Sequence, residues 1–422
     1  MSATPPKKPP TGGGFSVPQL TSCLKNSDGG LDKACSPGET VRLVTARFQA
    51  MAENGLSLLS SLRRVDAGRL DIPVYLSLVG EEARHILPDR RQMGKGVDRD
   101  QAEASALMEL VERYSFFAFW KRLPQLSGSV RGTWSEAQAE LGSSLISLEE
   151  ILQSVHDVAS PGQVSIARQL FDLMPWTFVP TLHLGENRTV RVPAEWFWMI
   201  NECNGCSAGN TVTESILQGV YELIERHVCA VIARSLATRP SIRTETIRNS
   251  ILRSLLDKFA KENIQVVLKD FSLDMPAPTV AVLAIDPATF PMQSEIVFTA
   301  STATSPTRAA IRALTEAAQL GGDFCTRSCY SPSGLPKYGN RHEVKWLENS
   351  DSVQLTSLSD SSAPDMLDEL LGIAAALRRQ DIQMYSLDVT HPDLRIPAHY
   401  TMAPGLDYLQ RDIQDGVGLF IV

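Results

Sequence analysis

One polar spacing recurs in three separate stretches of this 422-residue sequence. The first stretch places Gln101, Ser105, Glu109 and Glu112 at i, i+4, i+8 and i+11, and the second places Glu214, Gln218, Glu222 and Glu225 at the same offsets. The third repeats them with Arg308, Arg312, Glu316 and Gln319. Carboxylates ligate hard cations and guanidinium groups pair with phosphate oxygens, so this set could hold magnesium against a triphosphate. Glu109, Glu112, Glu222 and Glu225 are the candidate metal ligands, and Arg308 or Arg312 the candidate cation for the phosphates. The loop Asn204-Gly205-Cys206-Ser207-Ala208-Gly209-Asn210 precedes the second stretch, and its glycines let backbone amides approach a ligand at a helix N-terminus. No G-x-x-x-x-G-K-[ST] loop occurs, so a phosphate site here is of another design.

Helices must align these residues. At about 100° per residue the offsets fall within an arc of about 80°, giving each helix one polar stripe. The first helix is expected over DRDQAEASALMELVERYSFFAFW, with Asp98 or Asp100 as its cap and Gly94-Lys95-Gly96-Val97-Asp98 as a glycine-bounded turn before it. Its stripe is nearly encircled by Leu107, Met108, Leu110, Val111, Tyr114, Phe116, Phe117, Phe119 and Trp120. The plain alternative is the solvated face of an amphipathic helix; that apolar surround weighs against it, and two carboxylates within it call for neutralising cations. The second helix is expected within TVTESILQGVYELIERHVCAVIARS and the third over SPTRAAIRALTEAAQL with a Gly-Gly stop. ELVER at 109–113 and ELIER at 222–226 read as an internal pseudo-repeat.

The remaining pattern reads as a helix from SPGETVRLV to Gly55, a strand IPVYLSLVG, and a strand WTFVPTLHL after a short polar helix LEEILQSVHDV. Strands IQVVLKDF, TVAVLAID and EIVFTAST follow, and a helix DMLDELLGIAAALRRQ lies near the end. Strands and helices intersperse without a βαβ period, so the expected fold class is mixed α+β rather than a doubly wound sheet. Residues 1–18, rich in Pro, Gly, Lys and Ser, read as a flexible arm, with folded structure starting near Leu20.

A content of 43% hydrophobic and 21% charged residues is that of an ordinary globular protein. The net charge of −8 supplies no broad positive field, which argues against nucleic acid as a partner. MSATPPKKPPTGGG has no apolar core of a signal peptide and no later run reaches a membrane span, so the expected location is the cytoplasm without membrane contact. Seven cysteines, an odd number in a long chain, do not read as a secreted disulfide framework. Cys203 with Cys206 forms C-x-x-C and Cys325 with Cys329 forms C-x-x-x-C; the two pairs permit a zinc or sulfur-carrying role, but are read as ordinary thiols for want of zinc-ribbon context. The seven histidines form no paired-ligand motif, and His227 reads as a packed residue.

At these segments the sequence resembles the YcaO family of ATP-dependent peptide-modifying enzymes. The matching pieces are GKGVDRDQAEASALMELVERYS, NGCSAGNTVTESILQGVYELIERH and RAAIRALTEAAQ, in the family's order over residues 94–319, and SPGETVRLV and DIPVYLSL resemble its N-terminal segment. The resemblance implies a YcaO domain over 19–422 with ATP and Mg²⁺ held between helices carrying acidic motifs. It implies magnesium and phosphate ligands at Glu109, Glu112, Asn210, Glu214, Glu222, Glu225 and Arg226. Arg312, with Arg308 as the alternative, matches the phosphate-contacting arginine, and Lys95 and Ser105 match as motif positions.

Azoline-forming members of that family end in a proline-rich tail, whereas this sequence ends QDGVGLFIV with no proline after Pro404. VPAEWFWMINECNGCSAGN is more similar to the thioamide-forming branch that works with a TfuA partner. The implied function is therefore Mg-ATP-dependent activation of a backbone amide in a peptide or protein, with thioamide formation ranked above azoline or amidine formation. The implied partners are the peptide or protein substrate, a sulfur donor, a TfuA-like protein acting in trans, and a second copy in a homodimer. Two rivals stand beside it: a carboxylate-bound metallohydrolase, which leaves the third helix's arginines unexplained, and a YcaO-like accessory protein for ribosomal-protein methylthiolation.

Overall fold

Helix α1 (Pro37–Glu53) begins where the Ser36 side chain accepts from the Glu39 amide while Glu39 reaches back to the Ser36 amide, a reciprocal cap written into SPGE. It stops at Asn54 and Gly55, the latter at φ +82°. The computed structural model describes residues 14–26, 33–66, 68–155, 160–289, 295–321, 338–348 and 351–408. Its first contacts come before Leu20: Phe15 donates its amide to the Ser127 carbonyl and sets its ring 6.1 Å from that of Phe119. Cys325 and Cys329 lie outside the described residues.

After α1 the chain forms an antiparallel meander of β1 (Leu59–Arg64), β2 (Val74–Val79) and β3 (Arg91–Lys95). Of the glycine-bounded turn expected over Gly94-Lys95-Gly96-Val97-Asp98, residues 96–98 link β3 to the next helix, whereas Gly94 and Lys95 end the strand opposite Tyr75 and Val74. The glycine answers to packing: a Cβ at Gly94 would stand 2.0 Å from the Ala106 amide nitrogen of the next helix. That helix, α2 (Arg99–Arg122), is capped by Asp98, which accepts from the Gln101 amide at 2.8 Å. Leu107, Leu110 and Val111 bury one side of it against Val44 and Phe48 of α1. Farther along, Phe116, Phe119 and Trp120 enter a second cluster with Trp196 and Tyr400. Each such fully buried side chain contributes on the order of 1.5–3 kcal/mol, enough together to fix a helix that carries charge on another face.

Two larger sheets complete the body. One orders Val130–Gly132, Trp176–His183, Tyr385–Asp388, Ala398–Met402 and Cys206–Ala208, with Arg188–Pro193 paired to Trp176–His183. The other orders Glu295–Thr302, Thr279–Asp286, Gln265–Asp270, Ser241–Ile242 and Ser352–Val353. Helix α3 (Val212–Ser235) packs on Ala398–Met402 of the first and Glu295–Thr302 of the second. Helix α4 (Pro306–Leu320) lies on Thr279–Asp286 and Glu295–Thr302 and also touches β3, while α5 (Met366–Arg378) covers α3. The architecture is mixed α and β, as expected. Among the described residues no helix is long and apolar enough to cross a membrane.

The Gly94 packing is directly testable. Gly94→Ala forces β3 away from α2 and is expected to destabilise the protein by about 1–3 kcal/mol or more. The measurement is the urea unfolding midpoint, and a wild-type midpoint would contradict the close approach.

Candidate nucleotide and metal site

The three striped helices meet where β3 ends. Lys95, the last residue of β3, pairs with Glu316 of α4 at 2.5 Å. Glu109 of α2 accepts from the Met93 backbone and lies near Arg113, Lys95 and Glu316. Glu112, one turn on, is 3.5 Å from Arg113 and faces Glu222 and Arg226 of α3. Glu222 pairs with Arg226 at 3.2 Å and accepts the Gly205 amide at 3.1 Å. Glu225 accepts the Thr302 amide at 3.1 Å and stands near Glu316, Arg226 and Arg312. Arg312 in turn donates to Gln218 at 2.9 Å. These contacts join Glu109, Glu112, Glu222, Glu225, Arg226, Arg312 and Lys95 into one cluster spanning sequence separations above two hundred residues.

Other sequence-designated residues sit elsewhere. Asn210 donates to Glu214 at 3.1 Å and accepts from Thr40 at 3.0 Å. Glu214 also takes the Ala34 amide at 3.0 Å and pairs with Lys33 at 3.5 Å. This pair lies two turns before Glu222 and ties the segment entering α1 to the start of α3. Ser105 and Arg308 are half-buried on α2 and α4, one turn before Glu109 and Arg312 respectively. His227 accepts the Asp407 amide at 3.0 Å, a packing role.

Two members of the cluster were not singled out as site residues from the sequence. Glu316 was visible only as the third stripe's lone carboxylate, and its partner Lys95 is 221 residues away. Arg113 follows Glu112 as Arg226 follows Glu225, so the ELVER and ELIER parallel was the available signal. Arg113 donates to Cys203 Sγ at 2.7 Å, which brings the C-x-x-C loop to the edge of the cluster. Gly205 in that loop holds φ +85°, and a Cβ there would meet the Thr401 carbonyl at 2.2 Å, so only glycine lets this loop present its amide to Glu222.

Electrostatics follow from crowding. Burial pushes the Glu112 carboxyl up to about 8; Glu222 and Glu109 add to the rise, while Arg113 and Arg226 oppose it. Burial, then Glu316 and Glu222, raise Glu225 to about 7 against Arg226 and Arg312. Glu109 is raised by burial as well, despite Arg113 and Lys95. Carboxylates held above their ordinary range by burial and like charge fit a site that takes cations. Among the described residues no three Cys, His, Asp or Glu side chains gather as a ready cage. A cation held here would need water and ligand oxygens to complete its shell, which fits Mg²⁺ beside phosphates.

A family model described as "YcaO cyclodehydratase, ATP-ad Mg2+-binding" matches residues 93–407. The chain is 25% identical over 414 residues to an uncharacterized protein in the tfuA 3' region of Rhizobium leguminosarum bv. trifolii, covering 92% of each. Among solved structures, YcaO from Methanopyrus kandleri bound with AMPPCP and Mg²⁺ superposes with a TM-score of 0.65 at 19% identity, over 94% of this chain and 97% of that one. A heterocyclase in complex with substrate and cofactor gives a TM-score of 0.71 at 20% identity over 94% of this chain. This chain spans 55% of that heterocyclase. Both structural likenesses are likenesses of fold.

The raised carboxyls fix a sign for pH dependence. An acid whose folded pKa exceeds its unfolded value favours the folded state fully below the unfolded value, and that contribution is lost as pH rises through the folded one. For Glu112 the window runs from its ordinary value of 4.5 to about 8. In metal-free protein, Glu112→Gln is therefore expected to gain thermal stability relative to wild type as pH rises across that window. Thermal midpoints of the two proteins measured from acid to pH 8.5 check this; a difference that stays flat contradicts the burial of Glu112.

Proposed function

This chain belongs to the YcaO family, and on that premise we propose that it uses ATP and Mg²⁺ to activate a backbone amide of a peptide or protein for conversion to a thioamide. The observation that carries the proposal is the interhelical cluster. Five carboxylates, Glu109, Glu112, Glu222, Glu225 and Glu316, face four cations, Lys95, Arg113, Arg226 and Arg312. Those charges nearly cancel, so a triphosphate bringing roughly four more negative charges enters only with divalent metal.

Glu109 and Glu112 on one helix and Glu222 and Glu225 on another are the carboxylates that would hold Mg²⁺ in this reading, supported by the mutual proximity of Glu112, Glu109 and Glu222 and of Glu225 and Glu222. Held by them, Mg²⁺ would supply charge neutralisation to the phosphate oxygens. Arg312, within reach of Glu225 and hydrogen-bonded to Gln218, is the group to meet the terminal phosphate, with Arg308 one turn away. Lys95 anchors Glu316 and sets the position of α4 against β3. Asn210 and Glu214 close the start of α3 onto the segment at 33–40.

An amide carbonyl resists substitution because its nitrogen donates into it and its oxygen cannot leave as oxide. Phosphorylation of that oxygen by ATP makes it a leaving group. A sulfur nucleophile at the carbon then gives a thioamide, and a side-chain hydroxyl or thiol of the substrate gives an azoline. Sulfur is favoured by the relative encoded beside tfuA and by the thiol of Cys203 at the edge of the cluster. The reading implies a TfuA-like protein and a sulfur donor as partners.

The test compares the source organism's proteome with the gene intact, deleted, and replaced by the E109Q/E112Q variant. A peptide in which one backbone oxygen is exchanged for sulfur is expected only with the intact gene. Peptides that instead lose one water would move the reading to heterocycle formation, and identical proteomes would contradict amide modification altogether.

A further inference from the structure

The loop that supplies Gly205 to Glu222 also carries two thiols the account above leaves without a task. Cys203 is partly exposed, and its Sγ accepts from Arg113, whose guanidinium also pairs with Glu112 at 3.5 Å. The Cys206 amide donates to the Cys203 carbonyl at 3.0 Å, closing a tight turn through Gly205. The same turn brings both cysteines to one apolar cluster, Cys206 within it and Cys203 packed on its edge. Cys35, the other partly exposed cysteine described, faces the carboxylates Glu214 and Glu39 instead, and Cys23 and Cys229 are buried.

We propose that Cys203 is a sulfur carrier, holding a sulfane sulfur as a persulfide beside the cluster and passing it to the activated amide carbon, with Cys206 as the resolving thiol. The proposal rests on the thioamidation reading and deepens it. A guanidinium hydrogen-bonded to sulfur stabilises the anion of a thiol or persulfide. Burial holds the Cys203 thiol above its ordinary range, and Arg113 is the group that opposes this rise.

The steps balance as follows. A donor of the persulfide class gives its outer sulfur to the Cys203 thiolate: a sulfur–sulfur bond forms to Cys203, the donor's breaks, and the donor departs as a thiolate. The outer sulfur of Cys203 then bonds to the amide carbon as the carbon–oxygen bond breaks and the oxygen leaves with phosphate. The Cys206 thiol, held protonated by burial, attacks Cys203 Sγ and expels the carbon-bound sulfur, and its proton passes to the nitrogen to give the thioamide. The two electrons that reduce the sulfane sulfur come from the cysteine pair, which ends as a Cys203–Cys206 disulfide. A dithiol reductant restores it.

The test uses the reduced full-length protein and sodium tetrasulfide, without ATP or peptide, followed by alkylation and peptide mapping. In C206S the added sulfur is expected on Cys203. In wild type the expected products are a Cys203–Cys206 disulfide and released sulfide, and in C203S neither product forms. The C206S map locates the sulfur even if C203S fails to fold. Sulfur found on Cys23 or Cys35 with none on Cys203, or a wild type that forms no Cys203–Cys206 disulfide, overturns the assignment. Loss of loading while proteome thioamides persist removes the carrier alone. Loading without any proteome thioamide removes the thioamidation reading, and the carrier role with it.

Discussion

Like charges confined between helices are the constraint on which this structure turns. Two carboxylates 4 Å apart repel by about 4 kcal/mol at an effective dielectric of 20, and Glu112 and Glu225 relieve that cost in the free protein by holding protons near neutral pH. Few folds could keep such a cluster without compensation. Here Arg113, Arg226, Arg312 and Lys95 interleave with the glutamates, so that each carboxylate has at least one cation within electrostatic reach. Magnesium would take the place of those protons when a nucleotide binds.

The scaffold earns its rigidity away from the charges. Helix α2 is seated by Leu107, Leu110 and Val111 on one side and by the aromatic set around Phe116 and Trp120 at its end. Helix α3 lies across both large sheets, and α4 rests on one of them while touching β3. Glycines at 94 and 205 bring backbone against backbone, so Met93 and Gly205 can offer amides to Glu109 and Glu222. Packing of apolar surface therefore pays for the confinement of polar groups, and the two cannot be altered separately.

Much of this was legible in the sequence because helical periodicity exposes a stripe directly. The three helices, and Glu109, Glu112, Glu222 and Glu225 upon them, follow from offsets of four and three residues. What periodicity cannot give is distance between helices. The Lys95–Glu316 pair and the Arg113–Cys203 contact join residues far apart in the chain, and neither partner marks the other. Asn210 and Glu214 show the same limit, since the segment at 33–40 that engages them precedes α3 by more than a hundred and seventy residues. Gly94 misled for a local reason: glycine signals a turn and a close packing contact alike, and only the helix above it decides between them. The helix Ala194–Asn201, rich in aromatic residues, likewise carries no helical stripe to announce it.

The claim at the centre of this account is that paired glutamates on α2 and α3 hold magnesium for a nucleotide. Calorimetric titration of ATP into the purified protein, with and without Mg²⁺, tests it most directly in the wild type and in the E109Q/E112Q variant, which keeps side-chain size and removes two ionisable carboxyls. The account predicts saturable binding that requires Mg²⁺ and is abolished in the variant, with the fold retained by circular dichroism. Wild-type affinity in the folded variant, or equal affinity without the metal, would contradict it.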